Sequence, residues 1–158
     1  MRELLLLRHA EALSAGPDTR DVDRRLSPHG EAQARAAGTW LAGRLVAPDV
    51  VLCSPARRAR MTLDGVGESL PMPAPRFLDA IYDATPGDLL TMLEAHAADA
   101  DRTLLVGHNP GLEQLLALLT EGRSAQARGL SPATLAWIEF ADDALEPGQG
   151  RLHALWSP

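Results

Sequence analysis

The chain has 158 residues, a formal net charge of −6 and a pI near 5.3, and all fifteen of its basic side chains are arginine. That acidity argues against non-specific nucleic-acid binding, which needs broad basic surface. The lone cysteine, Cys53, permits no internal disulfide, and the opening apolar run of Leu4–Leu7 is too short for a signal-peptide core or a membrane span. The expectation is a cytoplasmic protein forming a single domain over residues 1–158, with no membrane and no nucleic-acid partner.

In chain order, Leu4–Leu7 comes first, a continuous aliphatic run of the kind that suits a strand buried on both faces. Arg8 and His9 follow it at once. Ser27-Pro28 reads as an N-cap with proline in the first helical position, opening a helix to about Gly43 whose apolar face carries Ala32, Ala36, Trp40 and Leu41. Val50–Cys53 predicts a second buried strand. Ser54-Pro55 repeats the cap signal before a helix with Ala59, Leu63, Val66 and Leu70. Thr85-Pro86 opens another helix, carrying Leu89, Leu90, Leu93 and Ala97. Thr103–Val106 predicts a third buried strand, and Asn109-Pro110, with Asn109 as cap, opens the last helix. Beyond Gly122, Thr134–Phe140 and Arg151–Trp156 alternate with period two around the turn-rich stretch 142–150, as in an antiparallel hairpin. The expected fold is an α/β three-layer sandwich. Its central sheet is mostly parallel, helices cover both faces, and the C-terminal hairpin lies antiparallel at the edge.

Ligands of open α/β sheets bind beyond the carboxyl ends of the strands. Here those ends carry Arg8-His9, then the stretch from Ser54 to Arg58, then Gly107-His108-Asn109. Two arginines, two histidines and helix starts around one crevice suit a phosphate dianion, because guanidinium groups pair bidentately with phosphate oxygens and helix starts offer free N–H groups. A neutral imidazole has a lone pair with which to attack phosphorus.

These motifs resemble the histidine phosphatase superfamily, the phosphoglycerate-mutase-like proteins, and most of all its short SixA-type phosphohistidine phosphatase branch. The resemblance covers nearly the whole chain. It runs through Leu7-Arg8-His9-Ala10, Leu26-Ser27 with Gly30, Gln33 and Ala34, Ser54-Pro55 with Arg58-Ala59 and Thr62, and Val106 to Gly111. It implies a phosphatase with His9 as nucleophile and Arg8, Arg58 and His108 as the phosphate pocket. Arg58, rather than Arg57 or Arg60, fits the Ser-Pro-x-x-Arg-Ala spacing.

Asn109 and Glu11 are further candidates for substrate contact, and Tyr82 for covering the pocket, with packing the plainer role. Larger members of the superfamily carry an acidic general acid on a middle segment. Here only Asp79 and Asp83 are available for that role, and neither sits in a matching pattern. A phosphohistidine leaving group protonates readily, whereas an alkoxide needs a proton donor, so a missing acid favours phosphoramidate substrates. Cys53 is one residue too close to Arg58 for a cysteine-phosphatase loop and reads as a buried apolar residue. The histidines lack metal-ligand spacing, so neither metal nor other cofactor is expected. The expected partner is a phosphorylated protein, such as a phosphohistidine domain. A small phosphate ester is the alternative, and a phosphate-binding module without catalysis the third reading.

Overall fold

A computed structural model describes residues 1–124 and 127–158. Six strands form one sheet: β1 (Arg2–Arg8), β2 (Val50–Cys53), β3 (Arg76–Phe77), β4 (Arg102–Gly107), β5 (Leu135–Phe140) and β6 (Arg151–Trp156), in the order β3-β2-β4-β1-β5-β6. From β3 to β1 the pairings are parallel, and β5 and β6 add antiparallel strands beyond β1. Among the described residues the α-helices are α1 (Pro28–Gly43), α2 (Arg57–Gly67), α3 (Pro86–Ala97) and α4 (Gly111–Glu121). The expected sandwich and hairpin are therefore both present.

Successive side chains of a strand point to opposite faces, and here both faces are apolar because both are covered. Leu5 and Leu7 of β1, Val51 and Cys53 of β2, and Leu104 and Val106 of β4 pack with Ala37 and Leu41 of α1 and Ala59, Leu63 and Val66 of α2. Leu4, Leu6, Leu52 and Leu105 point the other way, onto Leu89 and Leu93 of α3 and Leu112, Leu115 and Leu116 of α4. This explains the unbroken leucine run of β1. By contrast, β6 alternates between exposed and half-buried residues, as an edge strand does.

The caps at Ser27 and Thr85 form as expected. The Ser27 hydroxyl accepts from Gly30 N, and Thr85 completes a reciprocal capping box with Asp88. The other two caps differ from expectation. The cap of α2 is Ala56, and the Ser54 hydroxyl accepts the Ala56 N–H at 3.2 Å, before the helix begins. The cap of α4 is Pro110, because Asn109 spends its amide on the Leu130 carbonyl at 2.8 Å. Both prolines mark helix starts correctly, but the polar residue before each is turned to the crevice. The two-residue strand β3 and the 3-10 turns at Asp21–Asp23 and Asp79–Ile81 are too short to leave a periodic signal.

Candidate active site

The sheet order makes the site. Strands β2, β4 and β1 are neighbours, and their registers pair Cys53 with Val106 and Gly107 with Arg8. The three strand ends are therefore level. The next residues continue the ladder, with His9 N donating to Gly107 O and Ser54 N to Val106 O, each at 3.0 Å. Segments about fifty residues apart in sequence thus emerge side by side at the carboxyl edge.

The loop after β1 is then pinned. The Ala10 N–H donates to the Thr62 hydroxyl at 2.9 Å, and that hydroxyl donates to the Arg58 carbonyl at 2.7 Å, which ties the His9 loop to α2. Gly30 lets α1 approach the same loop. A Cβ there would stand 2.0 Å from the Glu11 carbonyl oxygen, so no larger residue fits without moving the backbone beside His9.

The His9 and His108 rings lie 5.2 Å apart between centroids, tilted by 54°. His9 Nδ1 is 2.8 Å from the Ala10 carbonyl oxygen. A carbonyl can only accept, so Nδ1 carries the proton and Nε2 carries the lone pair. Burial, followed by the charges of Arg58, Arg8 and Arg24, pushes the His9 pKa down to about 4, against the pull of the Ala10 hydrogen bond. Burial, the neighbouring His9 and the same Arg58 and Arg8 push His108 down to about 3. Both imidazoles are neutral near pH 7.

Arg58 is buried, whereas Arg57 and Arg60 are exposed. Its Nη1 donates to the Asp21 carbonyl at 2.7 Å and its Nη2 to the Asp21 carboxylate at 3.1 Å. The Tyr82 hydroxyl donates to the same carboxylate, and the Arg58 guanidinium stands 5.9 Å from the Tyr82 ring centre. Those bonds push the Asp21 carboxyl down to about 2, with the Tyr82 hydrogen bond the largest cause, followed by help from Arg24 and Arg58 against desolvation. Tyr82 also packs edge-on against His108, at 5.4 Å between centroids. Arg8 reaches across to the Leu130 carbonyl at 2.7 Å, the same oxygen that Asn109 holds. Arg8 Nε, Arg58 Nε, His108 Nδ1 and Asn109 Oδ1 are buried without a partner among the described residues. The unpaired arginine nitrogens are donors that suit a tetrahedral anion, whereas Asn109 Oδ1 can only accept.

The remaining candidates lie at the margins. The Glu11 side chain accepts from the Ser27 hydroxyl, at the start of α1. Asp79 is exposed in its 3-10 turn. Asp83 is exposed too, but shares with His108, Asn109, Thr85 and Gln114 the lining of a cavity of about 230 Å³. Cys53 is fully buried, and desolvation pushes its thiol up to about 12, so it holds no thiolate at neutral pH. Among the described residues no group of three or more His, Cys, Asp or Glu side chains is placed to hold a metal, and no helix is long and apolar enough to cross a membrane.

Sequence reasoning missed Asp21. Its spacing to Arg24 looks like a solvated i,i+3 pair, and only the fold brings it 37 residues along to Arg58. It also missed the Leu130 carbonyl, since a backbone acceptor leaves no mark in residue type.

Residues 4–82 match the histidine phosphatase superfamily (branch 1). The chain belongs to this superfamily. Membership implies the histidine-nucleophile phosphatase mechanism. An uncharacterized protein of Mycobacterium tuberculosis is 40% identical over 114 residues, spanning 72% of this chain and 69% of the relative. The phosphohistidine phosphatase SixA of Escherichia coli is 30% identical over 128 residues, 77% of this chain and 76% of that protein. The solved structure of the protein histidine phosphatase SixA with tungstate superposes with a TM-score of 0.83 at 25% identity, covering 98% of this chain and 96% of that one. The superfamily fold is broader than one substrate class. A phosphoserine phosphatase from Entamoeba histolytica shares it at a TM-score of 0.71 and 15% identity, a likeness of fold alone.

Proposed function

We propose that this superfamily hydrolase is a phosphohistidine phosphatase, removing the phosphoryl group from a histidine of a partner protein. In this reading His9 Nε2 attacks phosphorus. The substrate's P–N bond breaks, and its electron pair returns to the leaving imidazole nitrogen, which takes a proton from solvent. Arg8, Arg58 and His108 hold the equatorial oxygens, with Asn109 at the rim. Water then attacks the phosphorus of phospho-His9, returning the electron pair to Nε2 and releasing inorganic phosphate.

The observation that carries the substrate class is the placement of the carboxylates: Asp21 is held by Arg58 and Tyr82, and Asp79 stands exposed in its 3-10 turn. Without a proton donor an alkyl phosphate leaves as a poor alkoxide, whereas a phosphohistidine leaves as an imidazole that protonates unaided. The position of Asp83, on a cavity shared with His108, favours the alternative of a small phosphomonoester with Asp83 as acid.

A substrate panel separates them. A phosphorylated histidine domain is expected to exceed phosphoserine, sugar phosphates and nucleotides in kcat/KM by at least about 10²-fold, the usual worth of a missing general acid. Brisk ester turnover that Asp83→Asn abolishes, beside none on phosphohistidine, would establish the alternative.

A further inference from the structure

We infer that Ser54 sets the tautomer of His108, so that His108 presents an Nδ1–H donor to the phosphoryl group; this rests on the site acting in phosphoryl transfer as proposed above. Ser54 is fully buried. Its hydroxyl oxygen lies 3.2 Å from the Ala56 N–H and 2.7 Å from His108 Nε2. The amide can only donate, so the hydroxyl accepts from it and has one proton of its own to place.

Two arrangements remain. If His108 Nε2 carried the ring proton, the hydroxyl would accept twice. Its own proton would then lack an acceptor among the described residues, at a position sealed from water. His108 Nδ1 would also offer a lone pair to an anion. If instead the hydroxyl donates to Nε2, every proton at Ser54 is placed, and the ring proton sits on Nδ1. That nitrogen is buried and has no partner among the described residues. Burying an unpaired donor is costly, and the second arrangement avoids this at Ser54 while leaving one donor for the substrate. The doubly protonated ring is a poor third option, because burial and the neighbouring His9 and Arg58 disfavour the cation.

The two imidazoles are thus held in the same Nδ1–H tautomer by opposite kinds of partner. The Ala10 carbonyl, an acceptor, holds the proton on Nδ1 of His9 and frees Nε2 for attack. The Ser54 hydroxyl, acting as donor, fills Nε2 of His108 and puts the proton on Nδ1. Ser54 is a positioning residue, since it acts through His108.

Nitrogen-15 NMR of histidine-labelled protein reads this directly. Wild-type His108 is expected to show a protonated Nδ1 and an unprotonated Nε2. Ser54→Ala should shift His108 toward the Nε2–H form or a mixture, and weaken tungstate binding. It should also lower kcat on the phosphohistidine substrate more than it raises KM, by about 10²-fold, the effect of losing one oxyanion donor. Ser54→Thr keeps the hydroxyl and is expected to restore the tautomer and most of the rate. A wild-type His108 protonated on Nε2 would overturn the inference, as would Ser54→Ala with an unchanged tautomer and rate. Should Ser54→Ala not fold, the wild-type spectrum and Ser54→Thr still decide. A protein inactive on phosphohistidine but with the expected tautomer would refute the substrate assignment and leave the role of Ser54 standing.

Discussion

Strand β1 begins and ends with an arginine, and the two ends of the sheet treat that side chain differently. At the amino end Arg2 is buried and spends its guanidinium on the carbonyls of Asp143 at 2.9 Å and Ala97 at 2.7 Å. Its neighbour Arg102 is likewise occupied by Glu3 and the Ala47 carbonyl. At the carboxyl end Arg8 meets one carbonyl and keeps a buried Nε unpaired, as does Arg58. A buried cation with no buried nitrogen left unpaired belongs to the fold, whereas one that keeps a buried nitrogen unpaired is ready for a ligand. The same residue type on one strand therefore takes two roles, decided by what the loops supply.

Replacing each arginine tests that contrast. Arg8→Ala is expected to cut turnover by about 10²–10³-fold with little change in melting temperature, because the proposed mechanism uses it as a donor to the phosphoryl group. Arg2→Ala should do the reverse, destabilising the fold by about 1–3 kcal/mol by leaving the buried Ala97 carbonyl unpaired, with kcat/KM near wild type. Chemical denaturation beside steady-state kinetics checks both. Equal losses of activity and stability in the two variants would erase the distinction.

Asp21 sharpens the comparison, since its carboxylate is bonded to Arg58. Asp21→Ala leaves Arg58 in place but frees its aim, and a loss of up to roughly 10²-fold is expected, from misplacement alone. A structure of that variant with tungstate should show the Arg58 guanidinium turned from its wild-type position. Unchanged kinetics would make Asp21 a mere surface partner.

A further expected effect is on stability against pH. His9 has a folded pKa lowered to about 4 from the ordinary 6.5, so between those values the unfolded chain binds more protons than the folded one. Stability is then full above about pH 6.5 and falls as the pH drops toward 4, by at most about 1.4 kcal/mol per pH unit from this one group. Denaturation curves at pH 7 and pH 4.5 should therefore converge in His9→Ala relative to wild type. Equal acid sensitivity in both proteins would contradict the shift.

Much of this was legible in the sequence, for physical reasons. Leu4–Leu7, Val50–Cys53 and Thr103–Val106 announce strands because burial on both faces leaves no polar alternation, and Ser27-Pro28 and Thr85-Pro86 announce helices through cap chemistry. Arg8, His9, Arg58 and His108 stand out because each follows a strand end or starts a helix. What could not be read depends on tertiary contact. Ser54 and Asn109 look like caps in sequence, yet the fold gives their side chains to His108 and Leu130. Asp21 looks solvated, and only the approach of the 3-10 turn to α2 makes it a partner of Arg58.

The central claim, that His9 takes the phosphoryl group, is tested most directly by trapping. Rapid acid-free quenching after exposure to labelled phosphohistidine protein should capture an acid-labile, base-stable phosphate mapped to His9. The label should persist in Cys53→Ser and vanish in His9→Ala, with turnover in the latter down at least on the order of 10³-fold. A label on another residue, or a His9→Ala protein with near-normal turnover, would contradict the account.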